Sequence, residues 1–407
     1  MRYSLRRTGM VLLFLALIIL CGESTNVSLS LLLRRGVRFF DIAGAMIPPD
    51  TSYARVVLAP LWATVQMSLA GTGIGAVLGL VGASFASAYL NPHAWLRIPF
   101  KAIVHLIRTI PALILALLCT FLVGLGTLAG TLALSIYTTV VMIRMGYEDM
   151  ENTDLKAAQA LEAAGCGRLR AFIRTILPAV LAGYLINVLY MLEANVRHAA
   201  ILGYVGAGGI GLLLNERLAW REYSEVGMIL LLLYGVVVVT EGVSEWLRQV
   251  LSGKSHLPRA GKTVLILVLA VLFLSSFQTL SLPDTGGKGM AAAVAIVQGI
   301  LHPDWSMICS LAHDGVPWLL YETFCIAFLG TLGGTVIAAW FSFTASFRLF
   351  PAPAALTFRL ILLLIRAVPV FVYGLMWIRV TGPGPFAGVL TLTLCSVGLL
   401  ARGSSSL

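Results

Sequence analysis

Ionisable side chains are sparse in this chain, and their spacing limits the chemistry open to them. Glu193 and Arg197 stand four apart, with Asn195 and His198 beside them. Residues four apart share a helix face, so this carboxylate and guanidinium either pair structurally or line a path for a charged solute. Arg197 could steer an anion, which Glu193 opposes unless the arginine neutralises it. Gly206, Gly208, Gly209 and Gly211 fit G-x-G-x-x-G, a spacing that cradles a pyrophosphate when it lies between a strand and a helix. Here the run follows an apolar segment, so the glycines read as tight non-helical backbone, or close helix contact, beside a pathway. Glu148, Asp149, Glu151 and Asp154 form an acidic run that reads as a solvated helix start rather than a metal site. No Ser-His-Asp set, paired-carboxylate site, metal cluster or G-x4-G-K-[ST] phosphate loop can be assembled from the sequence. The expectation is no metal, no cofactor and no catalytic residue, with any ATP hydrolysis in a separate chain. The six cysteines are scattered without framework spacing and read as small apolar fillers.

The elements that must position these residues are lipid-embedded. Of 407 residues, 59% are hydrophobic and only 11% charged, where soluble domains carry about 25% charge. Segments rich in Leu, Ala, Gly and Val without alternating polarity point to helices rather than a barrel. The expected fold is an all-α polytopic membrane protein with about ten transmembrane helices. The net charge of +10 reads as topology and not as nucleic-acid binding, since no basic stripe with interleaved aromatics is present.

Taken in order, Arg2, Arg6 and Arg7 precede a short apolar run, Gly9 to Cys21. That pattern resembles a signal peptide, but no small-residue cleavage site is obvious and Leu20 before Cys21 does not fit a lipoprotein box. An uncleaved first span with a cytoplasmic N-terminus is the favoured reading. Residues 28–47 carry Arg34, Arg35 and Arg38 at roughly helical spacing and read as an interfacial amphipathic helix. Apolar spans are expected near 57–88, 109–124, 128–146, 176–196 and 226–246, then, after a polar linker at 251–262, near 263–280, 317–341, 360–379 and 386–402. Alternating these spans from a cytoplasmic N-terminus places about two thirds of the 28 Lys and Arg inside, the expected positive-inside bias.

The two blocks of spans look like copies. Ile107 to Leu134 aligns without gaps to Ile365 to Leu392, matching Arg108 with Arg366, Pro111 with Pro369, Gly126 with Gly384 and Gly130 with Gly388. Upstream, Gly71-Thr72 pairs with Gly330-Thr331, Gly75 with Gly334 and Ala86-Ser87 with Ala345-Ser346. Two like-oriented repeats around a central pathway are the expected arrangement. The second copy reads as incomplete, stopping short of a counterpart to Gln159. Arg108 and Arg366 read as lipid-headgroup anchors on the cytoplasmic side, or as attractors of an anion on exit.

Between two apolar segments lies AAQALEAAGCGRLRAFIRTILPAVL, Ala157 to Leu181. Gln159 to Ala164 favour helix, Gly165 and Gly167 break it, and a second short helix should run to Pro178. This helix–glycine–helix elbow resembles the coupling loop of ATP-binding-cassette (ABC) importer permeases, of pattern E-A-A-x3-G-x9-I-x-L-P. With the family's glycine on Gly165, its Leu-Pro falls on Leu177 and Pro178 without a gap, and Ala160 matches. Gln159 stands for the lead acid, Leu161 for the second alanine and Thr175 for the isoleucine. The run Leu192 to Gly211, LEANVRHAAILGYVGAGGIG, is similar to the stretch after the elbow in phosphonate-importer permeases, with a cousin in methionine importers. IRTIPALILALL with VGLGTLAG, and GPGPFAGVL in the second copy, are likewise phosphonate-permease-like. The resemblance covers about 50–250 and, more weakly, 300–402.

It implies an N-terminal anchor and interfacial helix at 1–50, a first permease domain at 51–250, the linker at 251–262 and a second repeat at 263–407. It also implies a multi-pass protein of the cell inner membrane whose partners are ABC ATPase subunits at the elbow, a periplasmic or lipoprotein substrate-binding protein, surrounding lipids and a second permease chain. The implied function is ATP-driven import, of phosphonates first. A permease for phosphite, phosphate or methionine, and a non-transporting scaffold, are the alternatives.

Overall fold

The computed structural model describes residues 2–253, 267–268, 270–279, 288–345 and 350–405. Most of the expected linker at 251–262, much of the expected span at 263–280, and Ser346 lie outside the described residues. Among the described residues there is no strand. The chain divides into two compact units, one of Asp50–Ile296 and one of Met1–Pro49 with Val297–Leu407.

The N-terminal part of the second of these units holds α1 (Arg2–Ser24), α2 (Leu29–Arg35) and α3 (Val37–Ala45). Gly9–Ser24 and Leu29–Ala45 are bent by 58° at their junction. The segment expected at the interface buries Leu32, Phe39 and Ile42 against Trp377, with Phe39 stacked on that indole at 4.4 Å. Arg34, Arg35 and Arg38 stay exposed, the division of faces that an amphipathic segment requires.

The larger unit runs through α4 (Ala54–Ala86), α5 (Ala94–Arg108), α6 (Ala112–Val123) and α7 (Thr127–Asn152) to the elbow helices α8 (Lys156–Ala163) and α9 (Arg168–Arg174). It continues through α10 (Ile176–Leu202), α11 (Ile210–Trp220) and α12 (Tyr223–Leu251). Helix α13 (Lys288–Leu301) follows, then α14 (Trp305–Cys309), α15 (Val316–Thr344), α16 (Ala352–Ala367), α17 (Val370–Thr381) and α18 (Pro385–Ser405).

Among the described residues five helices are long and apolar enough to cross a membrane, or up to seven if each of two bent pairs is one span. The described residues do not confirm the expected ten: part of the span expected at 263–280 lies outside them, and proline breaks two of the others. The stretch expected as one span at 109–124 starts its helix only at Ala112, where α5 and α6 meet at 94°. Proline has no N–H to continue a helix and disfavours helical backbone in the residue before it. Pro369 does the same between α16 and α17, with Val368 extended at ψ 124°. A helix of 12 residues such as α6 spans about 18 Å, well under the roughly 30 Å of a bilayer core.

The internal repeat recurs in packing. A methyl group on Gly71 would stand 2.6 Å from Leu134 Cβ, and one on Gly330 would stand 2.6 Å from Leu392 Cβ. Gly75 lies against Thr138 as Gly334 lies against Ser396. Glycines one turn apart therefore let α4 meet α7, and α15 meet α18, at nearly backbone distance. Gly79 against Met142 extends the first seam. The connections match as well: Gly124 and Gly382 end α6 and α17 at φ +87° and +93°, conformations that favour glycine.

Candidate functional site

The elbow forms where helix propensity meets a left-handed glycine. Gly165 adopts φ +87°. Its N–H donates to Glu162 O at 2.9 Å, and Cys166 N–H donates to Leu161 O at 2.9 Å. These two bonds close α8 with a glycine C-cap that satisfies its last carbonyls. Gly167 is extended, and α9 begins at Arg168. Nothing lies within 4 Å of where a side chain at Gly165 would sit, so the bend faces open space.

The elbow's inner face is fastened to the helix ends above it. Ala158, Phe172, Ile176 and Val180 are buried in one cluster with Ala86, Tyr89, Val104 and Met150, and Leu177 packs against it. Tyr89 donates its hydroxyl proton to Glu162 Oε1 at 2.5 Å. Arg168 Nε lies 3.8 Å from the same oxygen, and its guanidinium sits 5.2 Å over the Tyr89 ring. Burial, then the Glu162 carboxylate, pushes the Tyr89 phenol up to about 12. Gln159, Ala160 and Pro178 are exposed and Leu161 half-buried. The exposed side of α9 carries Leu169 and Ile173. Tyr89, Glu162 and Arg168 were not singled out from sequence. The available signal was that Glu162 is the one acid between Ala157 and Leu181.

The glycine run is a helix-to-helix connection, so the nucleotide pattern lacks its strand. Gly206, Gly208 and Gly209 all have positive φ. Gly206 O accepts from Gly126 N–H at 2.9 Å, and Ile210 N–H donates to Thr64 Oγ1 at 2.8 Å. A methyl group on Gly130 would stand 2.8 Å from Ala207 O, and Gly211 abuts Ala200 O. The run is a tight crossing packed on the N-terminus of α7.

Helix α10 continues past the expected end at 196 to Leu202, so Glu193 lies in its interior rather than at its outer end. Glu193 is 3% exposed. Arg197 Nη1 is 3.1 Å from one of its oxygens, and Arg248 Nη1 is 3.8 Å from the other. Arg248 also pairs with Glu245 at 2.9 Å and lies 4.2 Å over the Tyr190 ring. Sequence spacing located the Glu193–Arg197 pair but not Arg248, which comes from α12. Buried Asn195 Nδ2 donates to Thr72 and Thr138 hydroxyls, both at 2.8 Å, tying α10 to α4 and α7.

Arg108 ends α5 and Pro111 caps α6; Arg366 lies in the last turn of α16 and Pro369 caps α17. A proline break follows each arginine, so each ends one helix rather than opening the next. Among the described residues no group of three or more His, Cys, Asp or Glu could hold a metal ion.

A family model described as "Binding-protein-dependent transport system inner membrane component" matches residues 71–284. The chain is 33% identical over 208 residues to the phosphite transport system permease protein PtxC of Stutzerimonas stutzeri, covering 51% of this chain and 76% of that one. It is 25% identical over 364 residues to the phosphate-import permease protein PhnE of Mycolicibacterium smegmatis, covering 88% and 68%. A solved MetNI methionine ABC transporter in an inward-facing conformation is 22% identical, with a TM-score of 0.43, and the match covers 48% of this chain and 95% of that one.

Proposed function

The chain belongs to the family of binding-protein-dependent transport system inner membrane components, and from that premise we infer that it is the permease subunit of an ATP-driven importer of phosphorus oxyanions, phosphonates first. Phosphite and phosphate belong to the same substrate class, which the relatives named for phosphite and phosphate support. The relative named for phosphate import aligns across 88% of this chain, which supports reading both repeats as permease-like.

The observation that carries the proposal is the elbow. A lever must be stiff where it joins the load and free where it is pushed. The Gly165 bend is exposed, while Tyr89, Phe172 and Ala158 hold its inner side in the core of the helix bundle. Separate ATPase subunits dock on Gln159, Ala160 and the exposed apolar residues Leu169 and Ile173. ATP then favours one arrangement of the elbows, and the substrate path differs between the two states, which is the differential that coupling needs. A substrate-binding protein delivers solute to the outer face. One elbow is present among the described residues, and a second permease chain supplies another. The N-terminus is assigned to the cytoplasm and the protein to the inner membrane. Residues 51–250 act as the first permease domain, with the N-terminal 1–50 as anchor and 263–407 as the second repeat.

Two measurements test this reading. The first is uptake of radiolabelled phosphite, phosphate and methylphosphonate by vesicles holding the permease, its ATPase and its binding protein. ATP-dependent uptake of at least one is expected, and uptake of none rejects the substrate class. The second is labelling of Cys166 with an impermeant maleimide. Reaction only from the cytoplasmic side is expected, since a thiol reached only from outside puts the elbow beyond any ATPase.

A further inference from the structure

The 94° bend between α5 and α6 opens a cavity of about 340 Å3 that the elbow does not use. Its walls include Arg108, Thr109, Ala112, Leu113, Tyr137 and His198. Three features of different origin converge there. Arg108 is exposed and makes no ion pair among the described residues. The N-terminus of α6 has no side-chain cap, because Pro111 occupies the cap position. Ile114 and Leu115 N–H both donate to Pro111 O, at 3.0 and 3.1 Å, while the amides of Ala112 and Leu113 have no acceptor among the described residues. Uncapped amides at a helix start attract anions through their own hydrogen bonds and through the helix dipole.

His198 is the third feature. Its Nδ1 is sealed from solvent and has no hydrogen-bond partner among the described residues, and the residue lines the cavity wall. Tyr137 fixes that ring edge-on, with centroids 5.4 Å apart. A buried polar ring that lacks a protein partner in a wall carrying an arginine is costly unless something binds there. The nearest acid along α10, Glu193, is already held by Arg197 at 3.1 Å and Arg248 at 3.8 Å, which leaves Arg108 as the unbalanced charge at the cavity.

We propose that this cavity is an oxyanion-binding site. Arg108 and the Ala112 and Leu113 amides hold the oxygens of a small tetrahedral phosphorus oxyanion, and His198 contacts it from the opposite wall. Arginine suits this role because its planar fork binds two oxygens of one ligand at once. The proposal gives the solute a resting point between α5, α6, α7 and α10, walled by residues other than those of the elbow. It rests on the importer reading for the identity of the ligand, and not for the presence of the site. A phospholipid headgroup offers the same phosphoryl chemistry, so the test separates free solute from lipid.

The test uses the purified full-length chain in a neutral detergent. Equilibrium dialysis measures binding of radiolabelled inorganic phosphate, and phosphorus NMR measures binding of methylphosphonate. Arg108→Gln and His198→Gln should each weaken solute binding by about tenfold or more, the scale of one lost charge-assisted hydrogen bond. Arg108→Lys, which keeps the charge but not the fork, should fall between wild type and Arg108→Gln. Arg108 ends an amphipathic helix and is exposed, so Arg108→Gln decides the matter even if His198→Gln fails to fold. Wild type that binds neither probe, or Arg108→Gln that binds both as wild type does, overturns the proposal. So does native mass spectrometry in which only phosphatidylglycerol binding falls in Arg108→Gln, since the cavity is then a headgroup site. Failure of all uptake in the assembled transporter rejects the importer reading instead, and the dialysis result still decides the site.

Discussion

Tyr89 donates its hydroxyl proton to Glu162 across 2.5 Å, joining the segment after α4 to the last turn of α8. Those residues are 73 positions apart in sequence, and their contact turns a short surface helix into a part of the bundle.

Removing that hydroxyl should loosen the elbow without unfolding the chain. Tyr89→Phe keeps the ring stacked on Phe172 and loses about 1 kcal/mol of local stability. Faster amide exchange across 156–174 and slower uptake are expected. Unchanged exchange there would show that the apolar cluster alone holds the elbow.

The same phenol has a pH signature. Its ionisation is pushed up to about 12 from an ordinary value near 10, so folding favours the neutral form. The stability this contributes is present below about pH 10 and is lost as pH rises through about 12. An absorbance titration of wild type minus Tyr89→Phe should show one phenol with that late midpoint, and a midpoint near 10 would place Tyr89 in water.

Gly165 tests backbone against bulk. Its surroundings are open, so the cost of a side chain comes from the positive φ, about 1–2 kcal/mol for an ordinary residue and less for asparagine. Gly165→Val should therefore impair uptake and ATPase co-purification more than Gly165→Asn, with both variants inserting normally. Gly165→Trp should uncouple ATPase activity from uptake altogether; full uptake with docking intact would remove the elbow from the mechanism.

The glycine seams should respond alike in both repeats. Gly71→Val and Gly330→Val each push a side chain into a helix 2.6 Å away and should cost about 1–3 kcal/mol. Each is expected to lower the melting temperature in a detergent thermal-shift assay. A loss only for Gly71→Val would mean that the second repeat tolerates separation of its helices.

Glu193→Gln separates a structural carboxylate from one lining a path. It leaves Arg248, 5% exposed, with the exposed Glu245 as its remaining carboxylate among the described residues, and should destabilise the protein by about 3 kcal/mol. A large drop in melting temperature is the expected result. An unchanged melting curve with altered uptake would assign Glu193 to the solute path instead.

What was legible in the sequence was periodic or compositional. Hydropathy alone establishes a helical membrane protein, because a chain this poor in charge cannot keep its long apolar helices in water. Paired glycines at offsets of 258 and 259 residues announced the repeat, since only glycine lets helix backbones touch at Gly71 and Gly330. The break at Gly165 was visible because helix formers on both sides leave a glycine as the natural stop. The span count was not legible in the same way: hydropathy runs smoothly through Pro111 and Pro369, whereas the backbone breaks at both.

Tertiary structure decided everything that joins distant residues. Tyr89 reaches Glu162, Arg248 reaches Glu193, and Thr64 receives Ile210 N–H. None of these pairs shares a local period, and Tyr89 lies in the turn that follows α4. The cavity of Arg108 and His198 is the sharpest case. It exists because a right-angle bend at Pro111 turns a helix start toward the wall of α10, and a pattern along one dimension carries no record of which helix that start will face.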